Sequence, residues 1–273
     1  MPFAPPRSLS PSKVSAFRDC ALAFRFSAIE HLPEEPTVAM VRGTLVHRAL
    51  ERLFWLHPAG QRTPAAAEAE LDRAWQKMQD DPDYRGLHLT AEEAQAFVAA
   101  AAGLVTNYFA LEDPDAVNPI GVELTLEAQV GPLRLRGIID RLDLTPGGDL
   151  VVVDYKTGRA PSPAFEQSKL VGVHIYALLC QEVLGRWPVE VKLLHLKEPT
   201  TITAVPSEQT VAGQRRKAVA VWSAIERACE REDFAPRTSP LCSYCRFQAF
   251  CPAYGGNPDD AAAVLGGAVG GAA

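Results

Sequence analysis

The sequence predicts an α/β protein in which a helical elaboration precedes a core of strands and helices. Three observations support this class. Apolar residues recur at helical spacing between Ser10 and Leu111, three strand-like segments joined by short turns follow, and a helix, two strands and a long helix complete the core. The chain has 273 residues, of which 47% are hydrophobic, so it can bury one substantial core and a small satellite lobe.

Helical signals fill the first part of the chain. Ser10 is a typical N-cap residue and Pro11 suits a first helical turn, so a helix is predicted to begin there, with Cys20 inside it. A Pro- and Glu-rich loop follows at Pro33–Pro36. Further helices are predicted over 39–57, 64–79 and 91–111, because apolar residues recur there at helical spacing.

Strand signals begin after Pro119. The predicted strands are Gly121–Val130, Leu133–Asp143 and Leu150–Tyr155, and the short turns between them indicate an antiparallel meander. Next come a helix over 163–184, strands near 189–196 and 200–205, and a helix over 207–230. A cysteine-rich segment at 240–254 and a Gly- and Ala-rich tail, expected to be loose, end the chain.

Composition narrows the class of protein. A net charge of −6 argues against a protein that coats nucleic acid without specificity, but it permits an enzyme with a local basic groove. No window is long and apolar enough to span a membrane, and the first residues lack the features of a secretory signal. We therefore expect a cytoplasmic protein without a membrane partner, in which clustered cysteines bind metal rather than form disulfides.

Two acidic residues near strand ends form the most informative pattern. Asp140 lies on the second strand, and Asp154 ends the third strand two residues before Lys156. Alternation on a strand puts Asp154 and Lys156 on one face and Tyr155 on the other. If the two strands pair, their carboxylates converge on a site for Mg²⁺ or Mn²⁺, as phosphodiester hydrolysis requires, and the lysine can orient water or neutralise a phosphate. The alternative, solvated strand-end residues, fits poorly with the buried-looking strand Val151–Val153.

These segments resemble the motifs of a known nuclease superfamily. Asp140–Arg141 and Asp154–Gly158 are similar to motifs of the PD-(D/E)XK superfamily in its RecB-like, iron–sulfur branch, and Gly43–His47 resembles that branch's upstream Gly-x-x-x-His helix. The resemblance covers Leu9 to Pro252 and implies a restriction-endonuclease-like core, a mixed sheet flanked by helices.

The resemblance also implies the site residues. It assigns catalysis to His47, Glu123, Asp140, Asp154, Lys156 and Tyr176, and metal binding to His47, Asp140, Asp154 and the backbone carbonyl of Tyr155. Glu123 is explained equally well as a solvent-facing strand residue. The position at which many members carry a glutamine holds Gly172, with His174 nearby, and whether this weakens catalysis stays open.

Six cysteines supply a second candidate metal site. Three of them form a C-x₂-C-x₅-C pattern at Cys242, Cys245 and Cys251. The residues alone leave zinc and an iron–sulfur cluster open, with His195, Cys20, Cys180 or Cys229 as the fourth ligand. The resemblance implies a structural [4Fe–4S] cluster held by Cys20 and the late trio, which makes Cys180 and Cys229 buried apolar residues.

The resulting prediction is a metal-dependent deoxyribonuclease, a single-stranded DNA exonuclease in repair or recombination. The alternatives are a DNA-binding or helicase-partner subunit with weak or complex-dependent cleavage, and a zinc-stapled DNA-binding protein. The predicted parts are a helical segment at 1–118, a nuclease core at 119–235, an iron–sulfur segment at 236–254 and a loose tail at 255–273. Basic residues near the motifs, Arg141 among them, are expected to form a DNA-binding rim, with Phe17, Phe24 or Tyr155 stacking on bases.

Overall fold

The structure, a computed structural model, describes residues 3–161 and 163–267, with side chains described outside 162–173 and 264–267. The helices are α1 (Pro11–Asp19), α2 (Ala21–Phe24), α3 (Val38–Leu56), α4 (Pro64–Met78), α5 (Pro82–Arg85), α6 (Ala91–Tyr108), α7 (Pro163–Leu184), α8 (Glu208–Arg231) and α9 (Asp260–Gly267). The strands are β1 (Pro119–Val130), β2 (Leu133–Leu144), β3 (Leu150–Lys156), β4 (Glu190–His195) and β5 (Thr200–Ala204). Among the described residues, no helix has both the length and the apolar character that a membrane span needs.

The five strands form one mixed sheet in the order β1-β2-β3-β4-β5. Strand β2 pairs antiparallel with β3, β3 pairs parallel with β4 through the crossover helix α7, and β4 pairs antiparallel with β5. The parallel pair needs this crossover, because a short turn can join only antiparallel strands. The predicted α/β class and the mixed sheet with flanking helices are confirmed.

The chain divides into two compact units. The first comprises Met1–Glu34, Glu127–Arg136 and Ala212–Ala273, and the second comprises Glu35–Leu126 and Gly137–Val211. These units differ from the segments predicted from the sequence, whose boundaries stay a prediction.

The core of the second unit lies between helices and the sheet. Apolar residues of α3, α4 and α6 pack with Val151, Val153 and Tyr155 of β3. Local signals start the helices: the Thr37 hydroxyl accepts a hydrogen bond from the Met40 N–H at the start of α3. Helix α3 therefore lies against the strand that carries the predicted acidic motif.

The first unit joins the two ends of the chain. The Leu9 backbone bonds to Arg134 and Arg136 at 3.0 and 2.8 Å, and the Phe3 N–H donates to the Cys229 carbonyl at 3.2 Å. Of the late cysteines, Cys242 lies in the first of three short 3₁₀ turns, and Cys245 and Cys251 lie at the ends of these turns. The segment predicted to be loose from residue 255 forms α9 over Asp260–Gly267, and 268–273 lie outside the described residues.

The prediction of one continuous helix around Cys20 is wrong. Cys20 has an extended backbone, with φ −161° and ψ 115°, and separates α1 from α2. Cysteine has a modest helix propensity, and the edge-to-face contact of Phe17 with Phe24 is made across the break. A cysteine at a helix junction is less constrained by neighbouring turns than one inside a helix.

Candidate active site

Strands β2 and β3 place the two predicted carboxylates side by side. The antiparallel register pairs Arg141 with Val153. The neighbouring residues, Asp140 on β2 and Asp154 on β3, therefore lie beside each other. The Tyr155 backbone N–H donates to Asp140 Oδ2 at 2.6 Å. Asp154 is buried, and its Oδ2 lies 2.5 Å from Lys156 Nζ. A short Asp–Lys ion pair thus stands next to a second carboxylate.

Helix α3 brings His47 to the same point. Its Nε2 lies 3.1 Å from the Tyr155 backbone carbonyl, and its Nδ1 lies 3.6 Å from Asp140 Oδ1 and 3.9 Å from Glu123 Oε1. The histidine is one turn after Gly43, where an added Cβ would come within 3.1 Å of Thr157 Oγ1. Glycine therefore allows α3 to approach the segment that follows β3.

Glu123 adds a further carboxylate to this group of side chains, from strand β1. Its φ of +46° is left-handed, a conformation that non-glycine residues rarely adopt. Ligand atoms of His47, Glu123 and Asp140 all lie within 4.8 Å of one another, and the described residues contain no other such group of three. One imidazole and carboxylates form a donor set that suits Mn²⁺ or Mg²⁺.

The cluster changes the pKa of its members. Burial lowers the pKa of His47, but the nearby carboxylates of Asp140 and Glu123 outweigh burial and raise it to about 10. Burial raises the pKa of Asp154 to about 6, and Asp140 adds to this effect while Lys156 opposes it. Such perturbed groups are concentrated at functional sites.

Tyr176 on α7 faces the same carboxylates. Burial raises the pKa of its phenol, and the charges of Asp154 and Asp140 raise it further, as does a hydrogen bond to Asp154. Gly172, at the position where the family often has a glutamine, lies in the stretch of α7 whose side chains are outside the described residues. His174, two residues later, is partly buried.

A groove of about 650 Å³ opens beside the cluster in the second unit. It is lined by residues of α3 together with Glu123 and Thr157. Met40 and Arg48 line its wall. Met40 is 59% exposed, and the side chain of Arg48 is 42% exposed. The site is therefore open to a large substrate.

The expectation that Arg141, Tyr155 and Phe24 contact DNA is wrong. All three side chains are buried, so none of them can contact a substrate at the surface. The sequence analysis missed the reason for this burial, a network in which Arg141 contacts Asp143, Glu112, Tyr108 and Tyr155. An arginine next to an aspartate motif gives no signal of such partners, because Glu112 lies 29 residues away in sequence.

The four predicted cluster cysteines line one cavity of about 290 Å³ in the first unit. Burial raises the pKa of the Cys245 thiol, and the charges of Cys20, Cys242 and Cys251 raise it further. No three of these sulfurs lie within 4.8 Å of one another. Cys180 and Cys229 are buried, and His195 is on β4, where it pairs in register with Lys156.

Comparison with known protein families gives a match over most of the chain. The profile of the family described as the PD-(D/E)XK nuclease superfamily matches residues 8–252. The match thus spans His47, Glu123, Asp140, Asp154 and Lys156. No curated protein matches the chain.

Solved structures provide a further comparison. A crystal structure of a protein from Eubacterium rectale, for which exonuclease activity has been suggested by name, aligns with a TM-score of 0.52 and 11% identity over 88% of this chain and 87% of that one. At this identity the likeness supports the fold alone. A second structure, of a protein named SSO0001, aligns with a TM-score of 0.37 and 14% identity over 86% of this chain and 93% of that one, which is too low to carry an argument.

Proposed function

The chain belongs to the PD-(D/E)XK nuclease superfamily, and from this premise we propose that it is a metal-dependent DNA nuclease of the RecB-like type that acts on single-stranded DNA as an exonuclease in repair or recombination. The observation that carries the proposal is the convergence of His47, Glu123 and Asp140 within 4.8 Å, next to the Asp154–Lys156 ion pair. A resemblance in sequence would not by itself require these five side chains to meet.

The donor set fits a divalent cation. His47, Asp140, Asp154 and the Tyr155 carbonyl would hold the ion, with Glu123 as an outer carboxylate. A bound Mg²⁺ or Mn²⁺ would supply Lewis acidity, which activates water for attack on phosphorus and stabilises charge on the phosphate. The pKa of His47 is raised to about 10 because the surrounding carboxylates favour positive charge at this point.

The protein side chains divide the remaining work. The Lys156 side chain is 47% exposed, so its ammonium can reach a phosphate oxygen while Asp154 Oδ2 fixes its position at 2.5 Å. Tyr176 donates a hydrogen bond to Asp154 and so orients this carboxylate from α7. The groove along α3 leaves the cluster open for a strand of DNA to approach.

Preference for DNA ends is supported by similarity alone. The RecB-like motifs imply it, and the Eubacterium rectale protein of the same fold carries the name of an exonuclease. A DNA-binding or helicase-partner subunit with weak cleavage is the alternative, and Gly172, in place of the family's glutamine, is the sequence feature that favours it.

A cleavage assay tests the proposal. End-labelled single- and double-stranded DNA should be incubated with Mg²⁺ or Mn²⁺ and wild-type protein, Asp154→Ala or Lys156→Ala. Asp149→Ala and Lys197→Ala are matched controls, because both side chains are exposed and outside the cluster. We expect the wild type and the controls to shorten labelled strands from an end, and the two site variants to lose at least about a hundredfold in rate.

Two results would count against the proposal. If no protein cleaves DNA with either metal, the partner-dependent alternative replaces it, and the assay should be repeated with candidate helicases. If Asp154→Ala cleaves as fast as Asp149→Ala, the cluster is not the active site.

We further propose that Cys20, Cys242, Cys245 and Cys251 hold a structural [4Fe–4S] cluster. All four thiols line one cavity, and the charges of the other three act on Cys245. The resemblance to iron–sulfur nucleases favours this cluster, and a tetrahedral zinc site on the same cysteines is the alternative.

Metal content separates these two options. Protein purified without oxygen should contain about four irons and absorb broadly near about 400 nm, as thiolate-bound clusters do. Cys20→Ala and Cys251→Ala should lose the iron, whereas Cys229→Ala, a buried cysteine of the same unit, should keep it. Stoichiometric zinc in the wild type would contradict the cluster.

A further inference from the structure

A buried arginine lies directly behind the candidate metal centre. Arg141 follows Asp140 on β2, and its side chain is fully buried. Its Nε and Nη2 each donate to the Asp143 carboxylate at 2.9 Å, and its Nη1 donates to Glu112 Oε1 at 2.5 Å. A charge is kept in such a place only when its donors are satisfied, so this network has a defined geometry.

Tyr155 links this network to the metal centre. Its hydroxyl accepts a hydrogen bond from Arg141 Nη1 at 2.8 Å. Its backbone N–H donates to Asp140 Oδ2 at 2.6 Å, and its backbone carbonyl is 3.1 Å from His47 Nε2. One residue therefore contacts the buried arginine through its side chain and two candidate metal ligands through its backbone.

The alternation of the strand explains this arrangement. On β3, Val151, Val153 and Tyr155 pack into the core with α3, which leaves Asp154 and Lys156 on the other face. A displacement of the Tyr155 ring would tilt the β3 backbone at the point where Asp140 and His47 bind it. Groups that orient metal ligands in this way commonly affect metal affinity.

We propose that Arg141 and Tyr155 are positioning residues, which set the geometry of the metal centre from the face of the sheet opposite to Asp154 and Lys156. The inference rests on the proposed function, since it concerns the same site. It assigns a role in metal affinity to two side chains that cannot touch the substrate.

Tyr108 offers a matched comparison. Its hydroxyl lies 3.3 Å from the same Arg141 Nη1 and donates to Glu112 at 2.6 Å, and its ring is also buried. It belongs to α6, however, and not to a strand that carries a candidate ligand. Loss of its hydroxyl should disturb the network without moving the β3 backbone.

The test compares Tyr155→Phe with Tyr108→Phe in the full chain. Mn²⁺ binding is measured by calorimetry, and cleavage of single-stranded DNA is measured at limiting and at saturating Mn²⁺. We expect Tyr155→Phe to weaken Mn²⁺ binding about tenfold, the lower end of the range for groups that orient metal ligands. Its cleavage should fall at limiting Mn²⁺ and recover at saturating Mn²⁺, whereas Tyr108→Phe should keep the wild-type Mn²⁺ affinity.

A second variant, Arg141→Lys, tests the same inference if Tyr155→Phe does not fold. Arg141→Lys keeps the buried positive charge and removes the forked donor geometry, so it should weaken Mn²⁺ binding in the same direction as Tyr155→Phe. Equal Mn²⁺ affinities of Tyr155→Phe, Tyr108→Phe and wild type would overturn the inference and leave the proposed function in place. A wild-type protein that binds no Mn²⁺ would overturn both.

Discussion

If His47 is a metal ligand, as proposed, it is the residue whose ionisation couples most directly to metal binding. Burial lowers its pKa, but Asp140 and Glu123 raise it to about 10, so the metal-free protein holds a proton on this imidazole at neutral pH. A metal ligand must be unprotonated, and binding therefore releases the proton. If His47 is a ligand, we expect one proton to be displaced for each ion bound between the pKa of Asp154, about 6, and the pKa of His47, about 10.

The expected result is a pH-dependent affinity. The association constant for Mn²⁺ should rise about tenfold per pH unit between roughly pH 6.5 and 8, because one proton competes with the ion. Calorimetric titrations in buffers of different ionisation enthalpy measure both the affinity and the released proton. His47→Gln should bind Mn²⁺ more weakly and lose this slope, and a wild-type affinity that does not change with pH would contradict the assignment of His47 as a ligand.

Lys156 should act on the rate rather than on metal binding. Lys156→Gln removes the ammonium that faces the open side of the site, so we expect the single-turnover rate to fall by about a hundredfold or more while Mn²⁺ still binds. Because Lys156 lowers the pKa of Asp154, its loss raises that pKa, and the assay is best made near pH 8, well above the wild-type Asp154 pKa of about 6. Loss of Mn²⁺ binding in Lys156→Gln at this pH would show that the lysine only supports the metal ligands.

At the residue scale, the alternation of side chains along a strand explains why the acidic site could be predicted from the sequence. Asp154 and Lys156 share a face because they are two residues apart on one strand, and a short turn brings Asp140 alongside. The burial of Arg141 could not be predicted this way. It depends on Glu112, a residue that only the tertiary fold brings within hydrogen-bonding distance.

At the element scale, a glycine sets the distance between β2 and α7. A Cβ added at Gly137 would lie 2.7 Å from Leu179 Cδ1 and 3.3 Å from Tyr176 Cε1, and Leu179 is fully buried. Gly137→Ala should therefore destabilise the protein by about 1–3 kcal/mol and reduce cleavage, since Tyr176 must move with α7. Denaturant unfolding measures the first effect and the cleavage assay the second.

Gly103 on α6 is the control for this substitution. Nothing lies within 4 Å of a Cβ added there, so Gly103→Ala should stabilise the protein by up to about 1 kcal/mol through helix propensity. If both glycine variants have the same stability, the close approach of β2 to α7 does not constrain the fold.

The types of the long elements could be predicted from the periodicity of apolar residues, whereas two local backbone conformations could not. Long helices such as α3 and α6 carry both a buried stripe and an N-cap, which are sequence signals. The helix break at Cys20 and the left-handed backbone of Glu123 lack such signals. Both lie at candidate functional residues, and the left-handed backbone of Glu123 is a conformation that a non-glycine residue rarely adopts without tertiary constraint.

At the scale of the whole molecule, a cluster at the cysteine cavity would cross-link distant parts of the chain. Cys20 and Cys242 are separated by more than 220 residues of sequence and belong to the same compact unit. By analogy with a disulfide, closing so long a loop would stabilise the protein by about 5 kcal/mol. Iron-free protein or Cys20→Ala should then unfold at clearly lower denaturant concentration than the wild type, while Cys229→Ala should change much less. Equal midpoints for iron-loaded and iron-free protein would contradict a structural role.

The division into two units was beyond sequence analysis. Each unit is assembled from separated stretches of chain, and the first combines residues from the beginning, the β1–β2 turn region and the end. Periodicity and turn signals act over short distances and do not report such long-range assembly. The predicted order of strands and helices in the core agrees with the structure, because strands that are consecutive in the sequence are also neighbours in the sheet.

The most direct test of the central claim is the location of the metal. Crystals of the full chain soaked with Mn²⁺ should give an anomalous peak at about 2.1 Å from carboxylate oxygens of Asp140 and Asp154, beside His47. Crystals of Asp140→Asn treated in the same way should lack this peak or show it much weakened. A strong Mn²⁺ peak elsewhere in the chain, with none at this cluster, would contradict the account.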